Sequence, residues 1–325
     1  MRNWLAILIL FSATAAWAQT CCSGGVPLAA NIGFPAADKG TLQTSLSHDL
    51  NVLRTLKSGT EVLDDDSRLR RTHTLLFSAG YTFTPRFSFD ISASYVWQRR
   101  EISRPSLPVD LQQTHGWGDL MLLAKYQLTR TTNDRWNVIF GAGTKLANAA
   151  TSIRSDDGIV YNLDLQPGSG AVDAVLWGLS TYSFGFRPSM TLNTQVIARL
   201  TGAFDEYLGT QSYEIGNNYR LHLGVSEQLF VGKTLLNTSL TLMGRWADHD
   251  RAENQILENT GGEWIFLSPE IRWPISPSLM LSFQLEIPIY ANIRGEQLST
   301  TYRTTTGVYF VHTPQKETAF DFLGN

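Results

Sequence analysis

The chain has 325 residues, with 26 lysines and arginines against 29 aspartates and glutamates, a formal net charge of -3 at pH 7. Acids and bases mix along the whole length, so the basic stripe that a nucleic-acid partner needs is missing and that partner class is excluded. Beyond the N-terminus no stretch reaches about eighteen uninterrupted apolar residues, which excludes a helical membrane span but leaves one built from strands open.

Residues 1–18 read as a secretory signal peptide. Arg2 supplies the positive start, Trp4 to Phe11 the apolar run, and Ala16-Trp17-Ala18 a small-x-small cleavage site, so cleavage is expected before Gln19. Residues 19–39 then form a periplasmic N-terminal segment, open to a periplasmic partner, that carries both cysteines at Cys21-Cys22. Two adjacent thiols could share a soft metal ion or close a vicinal disulfide, and they stand as the weak metal candidates; an oxidisable tether ahead of the first strand is the plainer reading. Acylation of Cys21 is disfavoured because Thr20 is large for the position before a lipoprotein cysteine. No cofactor is expected.

Residues 40–311 repeat one phrase: a long alternating run, then a connector. Strand one puts Leu42, Thr44, Leu46, Leu50 and Val52 on one face and Gln43, Ser45, Ser47, Asp49 and Asn51 on the other. That alternation outlasts a soluble strand of about five or six residues. Strand three turns Phe87, Phe89, Ile91, Ala93, Tyr95 and Trp97 away from Ser88, Asp90, Ser92, Ser94 and Gln98. Strand four sets Leu120, Leu122, Ala124, Tyr126 and Leu128 against Asp119, Lys125 and Gln127. Strand six, over 171–184, has muddled parity. Strand seven sets Leu192, Val196 and Leu200 against Asn193, Gln195 and Arg199, and strand eleven sets Leu281, Phe283, Leu285 and Ile287 against Ser282, Gln284 and Glu286.

The connectors alternate in length. Thr84-Pro85-Arg86, Arg130 to Asp134, Gly185 to Ser189, Gly232-Lys233 and Ser276-Pro277 are short. Arg54 to Arg70, Arg100 to His115, Asn148 to Pro167, Gly202 to Asn217, Asp248 to Gly261 and Asn292 to Leu298 are longer and polar. Trp97, Trp117, Trp136, Tyr182, Tyr219, Trp246, Trp273 and Tyr290 fall near strand ends, where interfacial aromatics gather. These patterns predict an all-β chain: a single antiparallel up-and-down transmembrane barrel of about twelve strands, its apolar face on outer-membrane lipid and its polar face on a wet lumen. Residues 312–325 are left as a tail.

Functional candidates are the inward charged or titratable groups: Asp90, Asp119, Lys125, Lys145, Arg199, Arg220, His222, Arg245, Glu270, Arg272 and Glu286. Inside a lumen they must be paired or hydrated, so they read either as selectors of a passing solute or as polar networks that stabilise the wall. An enzyme needs a nucleophile and a base in register. None of the six histidines (His48, His73, His115, His222, His249, His312) stands in such a motif, and no catalytic residue is assigned. Asp64-Asp65-Asp66 reads as a solvated loop tip rather than a cation site, and Gly168-Ser169-Gly170 is too short for a nucleotide loop.

Several segments carry a resemblance: Cys21 through Pro27, Gly40 through Gln43, Asp66 through His73, Asp164 through Gly170, Pro288-Ile289-Tyr290, and Gly295 through Leu298. In these the chain resembles a family of bacterial outer-membrane barrels labelled transporters, related to those linked by name to the meta pathway of phenol degradation. The resemblance implies an outer-membrane barrel passing a small solute and brings no catalytic residues with it. The expected function is passive diffusion of a small solute; the alternatives are a non-conducting structural or loop-display barrel and, third, a lipid-modifying enzyme.

Overall fold

The computed structural model describes residues 33–129 and 135–314; the expected signal peptide, Cys21-Cys22, the turn residues 130–134 and the tail beyond 314 lie outside them. The alternating runs form β1 (Leu42–Gly59), β2 (Arg68–Thr82), β3 (Phe87–Ile102), β4 in two pieces (Asp110–Trp117 and Met121–Gln127), and β5 (Trp136–Lys145). There follow β6 (Asp173–Phe184), β7 (Arg187–Leu200), β8 (Asn218–Val231), β9 (Thr234–Ala247), β10 (Gly262–Ser276) and one extended run, Leu279–His312. Each strand pairs antiparallel with the next, and the last run pairs with both β10 and β1.

That closure forces a conclusion about the last run. A ring in which every neighbour is antiparallel needs an even number of strands, so ten strands plus one straight run cannot close it. The run must therefore double back. It does so at Gly295, whose φ of 63° suits a tight turn. Val311 N donates to Ser278 O at 2.9 Å, which brings the two ends of the run together. β11 is thus 279–293, against β10, and β12 is 296–312, against β1 from Leu42↔His312 to Lys57↔Gln297. Twelve strands close the barrel. The expected loop from Asn292 to Leu298 is instead strand and turn, so the long-short rhythm breaks at its last hairpin. A Cβ on Gly295 would fall 2.0 Å from Asn259 Oδ1 as well as demanding a left-handed backbone. Gly295→Ala is therefore expected to cost more than about 1 kcal/mol, read as a lower denaturant midpoint for the heat-modifiable folded band. An unmoved midpoint would show that the turn tolerates a side chain.

Outward residues such as Leu46, Phe77, Phe140, Leu240 and Phe283 are exposed, whereas the inward Gln43, Ser47, Asp49, Ser94 and Gln284 are buried. Polarity is inverted relative to a water-soluble protein. An apolar belt encircling the molecule far exceeds the few hundred Å² that a soluble monomer usually leaves in one patch. Trp97, Trp117, Trp136, Tyr219, Trp246, Trp273 and Tyr290 all stand on this outer surface.

Local irregularities re-aim residues. Register shifts around Val52, Leu53 and Thr55 bury Val52, which simple alternation places outside. In β4, Trp117 pairs with Tyr95 and Met121 with Ser92, so three residues of β4 oppose two of β3. This bulge switches the inward parity from Thr114 to Asp119, Met121, Leu123 and Lys125. Strand six is muddled for a different reason: its inward Val175 and Trp177 are apolar, so both faces look alike in sequence.

Candidate functional site: the barrel lumen

Met121 and Leu123 of β4, Ile139 of β5, Val175 and Trp177 of β6 and Ile197 of β7 form an apolar patch on the inner wall, with Ala36 packed against it. A Cβ at Gly33 would lie 2.7 Å from the Trp177 ring, an approach open only to glycine. Phe34 N donates to Asp90 Oδ2 at 3.0 Å, and Phe34 O accepts from Lys125 Nζ at 2.7 Å. Asp90 and Lys125 are themselves paired at 2.7 Å. One buried ion pair thus satisfies both backbone groups of a residue that has no strand partner. Residues 33–36, expected on the periplasmic side, lie inside the barrel. The sequence signal was available only in hindsight: an inward apolar wall with nothing in the strands to cover it.

A second network holds the connector 146–172, which folds inward across the end carrying the long loops. Asp119, fully buried, accepts from Lys145 Nζ at 3.0 Å, Ser169 N at 2.9 Å, Ser169 Oγ at 3.0 Å and Ala149 N at 3.1 Å. Lys145 also reaches Asp173 at 3.3 Å, and Arg199 lies 3.7 Å from the same carboxylate. Gln166 tightens the connector by bonding Ile153 N, Ile153 O and Tyr161 O. Arg70 and Arg100 converge on Asp164 at 2.9 and 3.6 Å. Above it Leu163 packs with Tyr207 and Tyr213 under a small four-stranded sheet built from the loops. In that cap Tyr213 donates to Asp250 at 2.8 Å, and burial pushes both the Asp250 carboxyl and the Tyr213 phenol above their ordinary ranges.

The other side of the lumen carries a third group. Arg303 Nε meets Asp49 at 2.6 Å, and its Nη1 lies 3.9 Å from Glu286. Facing them, Arg245 stacks over Trp264 at 4.6 Å, and Arg220 Nε donates to Asn218 at 3.3 Å. These groups border a cavity of about 50 Å³. A larger cavity of about 510 Å³ lies at the end of the short turns; Phe34 forms part of its wall, with His222, Glu270 and Arg272 on the polar side. Glu270 and Arg272 pair at 2.7 Å.

All eleven candidates line the lumen or its buried networks. The fold joins Asp90 with Lys125, Asp119 with Lys145 and Arg199, and Glu270 with Arg272, and sets Arg220, Arg245 and Glu286 around the small cavity. His222 stands apart, its Nε2 buried without a hydrogen bond. Asp49, Arg70, Asp164, Asp173 and Arg303 complete these clusters but were not singled out as candidates. Asp49 was read as inward by parity; Arg70, Asp164 and Asp173 lie near a strand end, in a loop or in the muddled strand, and Arg303 lies mid-way along β12 in a threonine-rich run, where alternation carries little signal. Among the described residues the histidines make no hydrolytic constellation: His48 meets His73 at 3.2 Å and His115 meets Tyr95 at 3.1 Å, all four on the outer wall. In the acidic loop Asp66 pairs with Arg54 at 3.0 Å and Asp65 accepts from Ser67 N at 2.8 Å.

No family model and no curated protein matches the sequence. Solved structures do. An outer membrane channel from Pseudomonas putida F1 superimposes with a TM-score of 0.68 at 13% identity, over 85% of this chain and 97% of that one. The β domain of the Bordetella autotransporter BrkA matches with a TM-score of 0.45 at 10% identity, over 85% of this chain and 100% of that one. A FadL homologue of Pseudomonas aeruginosa gives 0.45 at 9% identity, over 90% and 98%. The first likeness establishes a shared fold.

Proposed function

We propose that the chain is a bacterial outer-membrane channel through which a small solute diffuses down its gradient, with the inward charges selecting what passes. The carrying observation is the inversion of polarity across a closed wall: apolar side chains outside, ionisable ones inside around cavities of about 510 and 50 Å³. Closure pairs every strand edge, as lipid requires. Residues 1–18 direct export and are removed before Gln19. The path is narrow, because residues 33–36 and the connector 146–172 occupy part of the lumen. That same filling favours the second reading, a non-conducting barrel that displays its loops.

Single-channel recording of the refolded mature chain in a planar bilayer decides between them. Discrete, reproducible current steps are expected. A chain shown to be folded and inserted yet electrically silent would sink the diffusion channel and favour the loop-display barrel.

A further inference from the structure

We infer that the small cavity beside Arg220 and Arg245 binds a short-chain monocarboxylate. The inference deepens the channel reading by naming a solute class, and rests on that reading for a route to the cavity.

The starting point is an imbalance of charge. Of the four arginines bordering the cavity, Arg303 is engaged by Asp49 and Glu286, and Arg70 by Asp164. Among the described residues Arg220 and Arg245 have no ion pair, although Arg220 is only 6% exposed. Arg220 Nη1 and Arg245 Nε are buried without a hydrogen-bond acceptor. A guanidinium withdrawn from water and left without a counter-ion is costly; Asn51 Oδ1 also lacks a partner at this cavity, but it is neutral and leaves the charge of both arginines uncompensated. A carboxylate supplies two acceptor oxygens in the planar geometry that guanidinium groups match. The Trp264 ring under Arg245 and the Asn218 amide beside Arg220 hold both donors in place without neutralising either.

The rest of the wall restricts the class further. Asp49 and Glu286, which line the same cavity, disfavour a dianion such as phosphate or sulfate more strongly than a monoanion. Met243 and Phe266 offer apolar surface to a short alkyl group. A volume of about 50 Å³ has room for a few water molecules or a two- to three-carbon acid, and none for a long acyl chain.

The test uses the full mature chain refolded in detergent, its folding checked by heat-modifiable gel mobility, with propionate as probe and propionamide as its uncharged isostere. Saturation-transfer NMR is expected to show saturable binding of propionate and none of propionamide. In R220Q/R245Q the propionate affinity should fall about tenfold or more, while R220K/R245K, which keeps charge but loses the planar fork, should be intermediate. Equal propionate binding in R220Q/R245Q would overturn the site, as would propionamide binding as well as propionate. Chloride displacing propionate at equal concentration would overturn the carboxylate assignment. The readout needs no current. A silent barrel that holds propionate through these arginines defeats the channel reading and keeps the site; a conducting barrel that never saturates defeats the site alone.

Discussion

Removing residues 33–36 is expected to raise single-channel conductance about threefold or more, because the deletion clears backbone and the Phe34 ring from the lumen cross-section that ions must share. The wall should survive the deletion. Asp90 and Lys125 remain paired with each other at 2.7 Å, so water replaces two backbone partners without leaving either charge alone. The apolar patch around Trp177 becomes wet, which lowers stability but breaks no strand pairing. Current steps recorded side by side for the full and shortened chains decide the matter. Unchanged conductance would place the resistance at the charged level near Arg220 and Arg245 rather than at the inserted segment.

Asp119→Ala is expected to be the most damaging single substitution, at about 3–5 kcal/mol, since it strips a fully buried acceptor from a buried lysine. Lys145 keeps Asp173 at 3.3 Å, which sets the cost toward the lower end of that range. Ser169 N and Ala149 N lose their acceptor altogether, so the connector 146–172 should come away from the wall. Two measurements report this: the denaturant midpoint of the folded band, and the rate of tryptic cleavage at the exposed Arg154 within the connector. Asp119→Asn keeps the volume and one oxygen and should lose less. Wild-type stability together with wild-type resistance to trypsin would refute the anchoring role of Asp119.

Asp119 shows where alternation is informative and where it stops. Asp119 was legible as inward because it shares parity with Lys125, although it lies in the bulge between the two pieces of β4. Their partners were not legible. Asp119 is tied to Ser169 across a sequence separation of 50 residues, and Arg303 to Asp49 across 254. Parity states which face a side chain takes; it carries no information about height along a tilted strand, and height is what decides which charges meet.

What the sequence determined by itself is the wall: a long period-two alternation specifies strand and face residue by residue, and a near-unbroken rhythm of connectors specifies up-and-down order. The number of strands followed from the same local patterns, although Gly295 closes its hairpin far more tightly than the polar residues around it suggested. The tertiary structure alone decided the contents of the lumen. The insertion of Phe34 between Asp90 and Lys125, the inward fold of the connector pinned by Asp119, and the unpaired Arg220 and Arg245 all depend on the register and curvature of the closed ring. Closure makes strands remote in sequence, such as β1 and β12, hydrogen-bonded neighbours and turns side chains of separate strands into one lumen, and that arrangement is a property of the whole barrel that no segment encodes.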